Sequence, residues 1–250
     1  MSYVKFNGED IPSFLKVTDI SFPAIGDISI QESNAPGRIG SIDGGITRGG
    51  KTISLTCKII KKDNTIHEYA DALKRWAKGD NWKVSKLEFG EQDGYYLNAR
   101  VSNSIDIDDL YATGETTIEF YAADPLKYSN RIYESTRRYP DVLYMETFQY
   151  YGIEDTPLMI ELTLNRDSNR IHIFDGANGK SIRLIGYFFA GDKITVDSNK
   201  KVVKVNGDVN MKYFDMDNEW LYGSYGTNNI SLHVDYLKDH EFKVYYREVN

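Results

Sequence analysis

The chain has 250 residues and a mass of 28.6 kDa, a length that suits one large domain or two modest ones. Hydrophobic residues make up 41% and charged residues 27%, close to the averages of globular proteins, which excludes a disordered or fibrous chain. With 30 basic and 37 acidic side chains the formal net charge is −7, and this acidic balance argues against a general nucleic-acid binder.

The amino-terminal half alternates short apolar segments with turn residues. Its clearest strand is 51–62, where Ile53, Leu55, Cys57 and Ile59 fall on one face, the period of a half-buried strand. Aromatic residues make up 13% of the chain, and such residues favour pleated, half-buried sheet surfaces. Further strands are predicted at 3–6, 14–22, 84–89, 95–107 and 116–122.

One amphipathic helix is predicted at 64–78. Asp63 or Asn64 can cap its N-terminus, and Gly79 ends it. Apolar side chains recur along it at helical spacing, namely Ile66, Tyr69, Ala70, Leu73, Trp76 and Ala77. The pattern of this half therefore indicates a mainly β, sandwich-like domain with one helix.

Residues 34–50 form a glycine-rich segment that contains six glycines and shows neither a helical nor a strand period. Ordering glycine costs backbone entropy, so this segment is predicted to be a loop that stays mobile until a partner holds it. A loop of this length inside a folded domain usually has a function.

The same segment ends in a literal match to the phosphate-binding P-loop expression, Gly45-Ile-Thr-Arg-Gly-Gly-Lys51-Thr52. In a true P-loop a buried strand leads into the loop and a helix leaves it, so that N–H groups and the helix dipole face the phosphate. Here the match follows a glycine-rich loop, and the residues after it have the period of a strand. The sequence therefore favours an adaptable loop over a nucleotide site.

The carboxy-terminal half is predicted to be a second, all-β domain. Residues 126–155 are rich in Tyr, Arg and Glu with little periodicity, and we interpret them as a linker followed by one irregular strand. Beyond them, strands recur roughly every 8–12 residues with turns between, the pattern of a β-sandwich. These strands are 158–164, 170–174, 181–184, 193–196, 201–205, 230–236 and 241–247. The predicted domains are 1–130 and 131–250.

Few residues are suited to catalysis or metal binding. The four histidines are scattered, and the lone Cys57 excludes an intrachain disulfide and a cysteine-rich zinc site. The run Asp215-Met-Asp217-Asn-Glu219 resembles the start of a calcium loop but lacks the glycine and the final carboxylate of that loop, which favours a solvated acidic turn. We therefore predict no catalytic residue, no cofactor and no metal site.

Two other functions remain open from the residues alone. Trp220, Tyr222 and Tyr225 could stack on sugar rings, which would make the second domain a module that binds host cell-wall polysaccharide. Tyrosine is also enriched at protein interfaces, and that interpretation is favoured. Two of Asp106, Asp108 and Asp109 could form the acid–base pair of a glycoside hydrolase, although acidic loop tips are common.

Several short motifs follow one another in a characteristic order. The first half closes on Phe120-Tyr-Ala-Ala-Asp-Pro125, and the second carries a Gly-Asp turn, a strand, an Asp turn, a strand and Asn206-Gly207. Trp220-Leu221 and Gly226-Thr-Asn-Asn-Ile230 come later. In this order the chain resembles the distal tail proteins of long-tailed, non-contractile bacteriophages. Ser224-Tyr225 stands where that family usually has a proline before the late glycine.

The resemblance implies a structural, non-enzymatic protein of the virion tail tip that is assembled in the bacterial host cytoplasm. Six copies would form a homohexameric ring that joins the tail tube protein to a tail-tip fibre or lysin protein. Galectin-like C-terminal β-sandwiches would project outward and, in some relatives, hold receptor-binding proteins. DNA would pass through the acidic ring without specific binding. No membrane contact is expected, since the longest apolar run, 184–190, is far shorter than the ~20 residues that a bilayer requires.

Within such a ring the glycine-rich segment would be the arm that contacts a neighbouring subunit. A closed ring of identical subunits needs a head-to-tail interface between two different surfaces of the same chain. We predict that the contact is made by Arg38, Ile39, Ile42, Ile46 and Arg48.

Overall fold

The computed structural model describes residues 3–60, 65–90, 94–138, 144–235 and 240–250. The chain divides into two units, Met1–Tyr128 and Ser129–Asn250, and each has a hydrophobic core of its own. Strands dominate both units, which confirms the predicted mainly-β fold class.

The strands of the first unit form one main sheet and one separate hairpin. In the main sheet the strands neighbour one another in the order β2-β1-β7-β8-β9-β6-β3, and β4 pairs only with β5 among the described strands. The bounds are β1 Val4–Phe6, β2 Glu9–Asp10, β3 Leu15–Ser21, β4 Ile28–Ser33, β5 Ile42–Arg48, β6 Lys51–Ile59, β7 Ser85–Phe89, β8 Tyr95–Val101, β9 Glu115–Ala122 and β10 Tyr128–Ser129.

Helix α1, Ile66–Lys78, packs its apolar face into the core of this unit. Its N-cap is Thr65, whose side chain accepts a hydrogen bond from the Glu68 backbone N–H while the Glu68 carboxylate accepts one from the Thr65 N–H. This reciprocal capping box satisfies two N–H groups at the helix start. The capping residues suggested by the sequence, Asp63 and Asn64, lie outside the described residues.

The prediction of a single helix is wrong, because a second helix, α2, spans Ile107–Thr113. The strand predicted to run on to Ile107 ends at Val101. Asp106 starts the helix: its carboxylate accepts a hydrogen bond from the Asp108 N–H at 2.9 Å, as a capping residue does. Leu110 is buried in the core and holds the helix in place.

The second unit is a sandwich of two antiparallel sheets. One sheet has the order β11-β22-β14-β17-β18-β19 and the other the order β12-β21-β15-β16, while β13 pairs with β20. The bounds are β11 Tyr133–Arg138, β12 Tyr144–Tyr150, β13 Thr156–Pro157, β14 Met159–Thr163, β15 Ser168–Asp175, β16 Ser181–Phe188, β17 Lys193–Asp197, β18 Val202–Val205, β19 Asp208–Val209, β20 Tyr222–Gly223, β21 Gly226–Val234 and β22 Glu241–Tyr246.

Inward-facing side chains of both sheets share one core. Ile160 and Val244 come from the first sheet, and Ile173 and Leu232 from the second. The strands predicted beyond residue 157 are all present, because their apolar residues alternate and turn residues separate them.

The interpretation of 126–155 as a linker with one irregular strand is wrong. Two regular strands, β11 and β12, lie in this range. In β12 the inward positions include Glu146, which is buried and accepts a hydrogen bond from the Ser135 hydroxyl. A carboxylate at an inward position interrupts the apolar alternation, so the sequence conceals the strand period.

Candidate functional site

The glycine-rich segment belongs to a β-hairpin that stands apart from the main sheet. Strands β4 and β5 are antiparallel, and every residue of both strands is exposed. The prediction of a loop over 34–50 is therefore wrong for Ile42–Arg48. The partner strand β4 was missed, although the alternation of Ile28 and Ile30 with polar residues is a strand signal.

One face of this hairpin carries a row of isoleucines. Ile30 lies directly opposite Ile46, and Ile28 is two residues before Ile30 on the same face. Their side chains are 52% (Ile28), 63% (Ile30) and 60% (Ile46) exposed. Contiguous exposed apolar surface is typical of interaction sites.

The structure places the five predicted contact residues along β5 and the connection that precedes it. Ile42, Ile46 and Arg48 are exposed residues of β5. Arg38 and Ile39 lie in the connection between the strands, and Ile39 is fully exposed. The structure adds Ile28 and Ile30 of β4 to these exposed residues. We call the whole hairpin, residues 28–48, the arm.

The isolated arm contains an unfavourable charge pair. Glu32 lies directly opposite Asp43, and like charges in that position destabilise a strand pair. A two-stranded hairpin with no further packing is at best marginally stable in water. Any partner that covered its isoleucines and supplied positive charge would therefore stabilise the arm.

Close backbone contacts anchor the arm at its root. The Asp27 N–H donates to the Gly50 carbonyl at 3.0 Å, and the Gly49 N–H donates to the Asp27 carbonyl at 2.6 Å. A Cβ on Gly50 would lie 2.5 Å from the Ala122 carbonyl oxygen, and one on Gly26 would lie 2.6 Å from the Gly49 carbonyl oxygen. A side chain at Gly50 would push the root away from β9, and one at Gly26 would push the two segments of the root apart.

These contacts also account for the P-loop-like sequence. Gly45 has φ +94 at the irregularity in the hairpin, and Gly50 packs against β9. Lys51 begins strand β6, so no helix N-terminus follows the motif. The glycines serve the shape of the hairpin and its root, and the geometry of a phosphate-binding loop is absent from these described residues.

A pair of lysines lies next to the root, on the same aromatic ring. The Nζ atoms of Lys51 and Lys127 are 4.6 Å and 4.4 Å from the centroid of the Phe22 ring. Burial and the neighbouring Lys127 charge lower the pKa of Lys51 from 10.5 to about 8, against the opposing effect of Asp124. Burial lowers the pKa of Lys127 as well.

Replacing Lys51 by Met is expected to stabilise the first unit at pH 7 and to lose this advantage as the pH rises. Because the folded state disfavours the charged amine, the unfolded wild-type chain binds more protons than the folded one between pH 8 and 10.5. The free energy of unfolding of the wild type therefore rises over that interval. Urea unfolding of both proteins from pH 7 to 10, followed by tryptophan fluorescence, measures the difference. Lys16→Met, at an exposed position of β3, is the control. A difference that stays constant with pH would contradict the buried-amine explanation.

The three aromatic residues proposed for sugar binding differ in how open they are. The Trp220 ring is half-buried and stacks on Phe214 at 4.6 Å between centroids, so one of its faces is covered. Tyr222 lies in β20, with Lys180 Nζ 5.7 Å from its ring. Tyr225 is 75% exposed and is the most open of the three to any partner.

The described residues contain no group of three or more His, Cys, Asp or Glu side chains arranged to hold a metal ion. Asp215, from the calcium-like run, lies 3.8 Å from the Arg183 guanidinium. Cys57 is buried, and this burial raises the pKa of its thiol to about 12, so it is a poor nucleophile. Among the described helices, none has the length and apolar character needed to cross a membrane.

Two family models match the chain, one in each unit. Residues 8–122 match a phage tail protein RIFT-related domain, and residues 151–249 match the C-terminal domain of a siphovirus-type tail component. Together the two matched ranges take in most of the chain. No curated protein sequence matches it.

Solved structures share the fold over the full length. The crystal structure of SPP1 Dit, described as a paradigm of the hub adsorption apparatus in phages that infect Gram-positive bacteria, superposes with a TM-score of 0.79 at 13% identity, covering 100% of this chain and 99% of that one. The phage P2 baseplate in its activated conformation with Ca contains a chain with a TM-score of 0.53 at 9% identity, covering 99% and 98%. At these identities the likeness shows the fold.

A chain that carries these two domains in this order is a structural component of a phage tail. More specifically, it belongs to the distal tail protein family of siphoviruses, as the order of its sequence motifs predicted.

Proposed function

We propose that this protein is the hub of a siphovirus tail tip, a homohexameric ring that joins the tail tube protein to the tail-tip fibre or lysin protein. The single observation that carries the proposal is the arm, an exposed hairpin with an isoleucine face that remains uncovered in the isolated chain. The matches to tail-component domains support the same role. The protein acts in the virion tail, after assembly in the bacterial host cytoplasm.

Ring closure requires a second surface on the same chain that receives the arm. The first unit carries such a surface, a groove of about 410 Å³ between α1 and residues 101–107. Ala70, Leu73 and Ile105 are among its apolar lining residues, and Lys74 supplies a positive charge. We propose that the arm of the neighbouring subunit occupies this groove, because its isoleucines fit an apolar lining and Lys74 offsets the Glu32 and Asp43 carboxylates.

The remaining partners follow from the ring. Its two ends would meet the tail tube protein and the fibre or lysin protein, and the second unit would present surfaces to receptor-binding proteins. DNA would pass through the ring without specific binding, since a chain with net charge −7 has few cations to exchange for the counterions of DNA. The protein works by assembly, with no reacting group.

The mass of the purified full-length protein tests the proposal. Size-exclusion chromatography with light scattering is expected to give six times the 28.6 kDa of one chain. Because association depends on concentration, the measurement should extend over a dilution series. A protein that stays monomeric at high micromolar concentration would overturn the proposal, as would a closed oligomer that survives loss of the arm.

A further inference from the structure

The outer face of the β12-β21-β15-β16 sheet carries a cluster of basic side chains that belongs neither to the arm nor to the groove beside α1. His172 on β15 lies directly opposite Arg183 on β16 and His233 on β21. Arg170 is two residues before His172 and projects on the same face. The strand register therefore brings two guanidinium and two imidazole groups together, and we call them the basic cluster.

The basic cluster lines a shallow pocket of about 350 Å³ with Val234 and Asp235 at its edge. The His172 and His233 rings are 5.9 Å apart between centroids. Arg170, Arg183 and His233 are exposed, and His172 is half-buried between them. The polar groups thus converge on a space that a small ligand can enter from solvent.

The charges that face this pocket are unbalanced whenever the histidines are protonated. Asp215 lies 3.8 Å from Arg183, and the Asp235 carboxylate accepts hydrogen bonds from the Asn169 N–H at 2.7 Å and the Ser168 hydroxyl at 3.3 Å. In the described part of this unit, no carboxylate forms an ion pair with Arg170. The formal charges of these two carboxylates and the two guanidinium groups sum to zero. Each imidazolium therefore adds a positive charge that no nearby carboxylate balances among the residues that the structure describes.

Burial and the positive charge of the cluster lower the pKa of His172. Burial has the largest effect, and the His233, Arg183 and Arg170 charges lower the pKa further. The pKa of His172 therefore lies below its ordinary value of 6.5, so this imidazole gains its proton only in acidic solution. An anion bound between these side chains would stabilise their charged forms, which otherwise repel one another.

We propose that the basic cluster is a binding site for a phosphate group. Guanidinium groups present paired N–H donors that match phosphate oxygens, and imidazolium groups add further N–H donors. A tetrahedral, doubly charged anion uses donors that converge from three strands better than a planar, singly charged carboxylate does. The ligand is a phosphate monoester or free phosphate, and the positive charge of a protonated His172 strengthens its binding.

Titration of the full-length protein with inorganic phosphate tests the site, with the imidazole signals of His172 and His233 followed by NMR. We expect saturable shifts of both signals near neutral pH. The pH dependence is measured with sulfate, a tetrahedral anion that stays doubly charged from pH 5.5 to pH 8, whereas phosphate loses one negative charge as the pH falls over that range. We expect the sulfate affinity to be about tenfold higher at pH 5.5 than at pH 8, the effect of one added charge near the surface.

A titration with glycerol 3-phosphate shows which of the two phosphate ligands the site prefers. Binding equal to or tighter than that of inorganic phosphate indicates an esterified phosphate, and weaker binding indicates free phosphate. Acetate is expected to bind much more weakly.

Variants distinguish phosphate binding at the basic cluster from nonspecific attraction to positive charge elsewhere on the surface. Arg170→Gln and His172→Gln are each expected to weaken phosphate binding about tenfold, whereas Arg166→Gln, an exposed arginine outside the pocket, leaves it unchanged. Because Arg170 is exposed, its replacement leaves the core intact. Shifts that do not saturate, a sulfate affinity independent of pH, or equal binding by Arg170→Gln and the wild type would each overturn the proposal.

Discussion

Replacing residues 30–46 by a two-residue Asn-Gly turn is expected to convert the hexamer into monomers while both units stay folded. The replacement removes Ile30 and Ile46, and so all of the isoleucine face except Ile28, and it keeps the root, including the hydrogen bonds of Asp27 with Gly49 and Gly50. None of the removed residues belongs to either core. Light scattering measures the mass, and circular dichroism with thermal unfolding reports whether the fold is retained.

Single substitutions test whether the isoleucine face makes the contact. Ile30→Asp is expected to abolish the ring, because it places a charge in the centre of the apolar face and next to Glu32 and Asp43. Ser29→Asp adds the same charge on the opposite face of β4 and is the matched control. If both variants remain hexameric, or if both become monomeric, the isoleucine face is not the specific contact.

Mixing two defective chains tests the head-to-tail arrangement. Ala70→Glu places a negative charge in the groove but leaves the arm intact. The chain in which Asn-Gly replaces residues 30–46 lacks most of the arm but keeps the groove. Each is expected to be monomeric alone. In a mixture, the intact arm of one can enter the intact groove of the other, which yields dimers that cannot grow further. A mixture that stays monomeric would show that the arm binds elsewhere.

Phe120→Ala is expected to destabilise the first unit by about 3–5 kcal/mol and to leave the second unit unaffected. Phe120 is fully buried, and its ring lies 5.1 Å from that of Phe6 and 5.9 Å from that of Trp76. Removing it leaves a cavity at the centre of an aromatic cluster. Most domains are stable by only about 5–15 kcal/mol, so this loss is a large part of the total.

The equivalent change in the other core is Leu232→Ala, for which we expect a loss of about 2–5 kcal/mol confined to the second unit. Urea unfolding is followed by tryptophan fluorescence in the full chain and again in a Trp220→Phe background, whose remaining tryptophans, Trp76 and Trp82, both lie in the first unit. The comparison of the two backgrounds separates the two effects. Ile185→Ala, at an exposed position of β16, is the control for both. Equal destabilisation of both units by either core variant would contradict two separately cored units.

Periodicity alone predicted the elements whose local pattern agrees with their place in the fold. Strand β6 alternates apolar and polar residues along its whole length, and helix α1 has one apolar stripe, so both were predicted close to their observed bounds. The strands of the second unit after residue 157 follow the same rule. The order of turn motifs was enough to indicate the distal tail protein family, because such turns recur where the same strands must be joined.

Features that depend on distant neighbours were decided by the tertiary structure. The sequence of β12 conceals its strand period because the inward-facing Glu146 carries a carboxylate. Its burial is stabilised by a hydrogen bond from Ser135, which lies on another strand. The arm emerged as a hairpin only when β4 and β5 were paired, since glycines weaken the local strand signal of β5. His172 and His233 meet through the register of β15 with β21, and strand register between distant segments is set by packing of the core rather than by local residues.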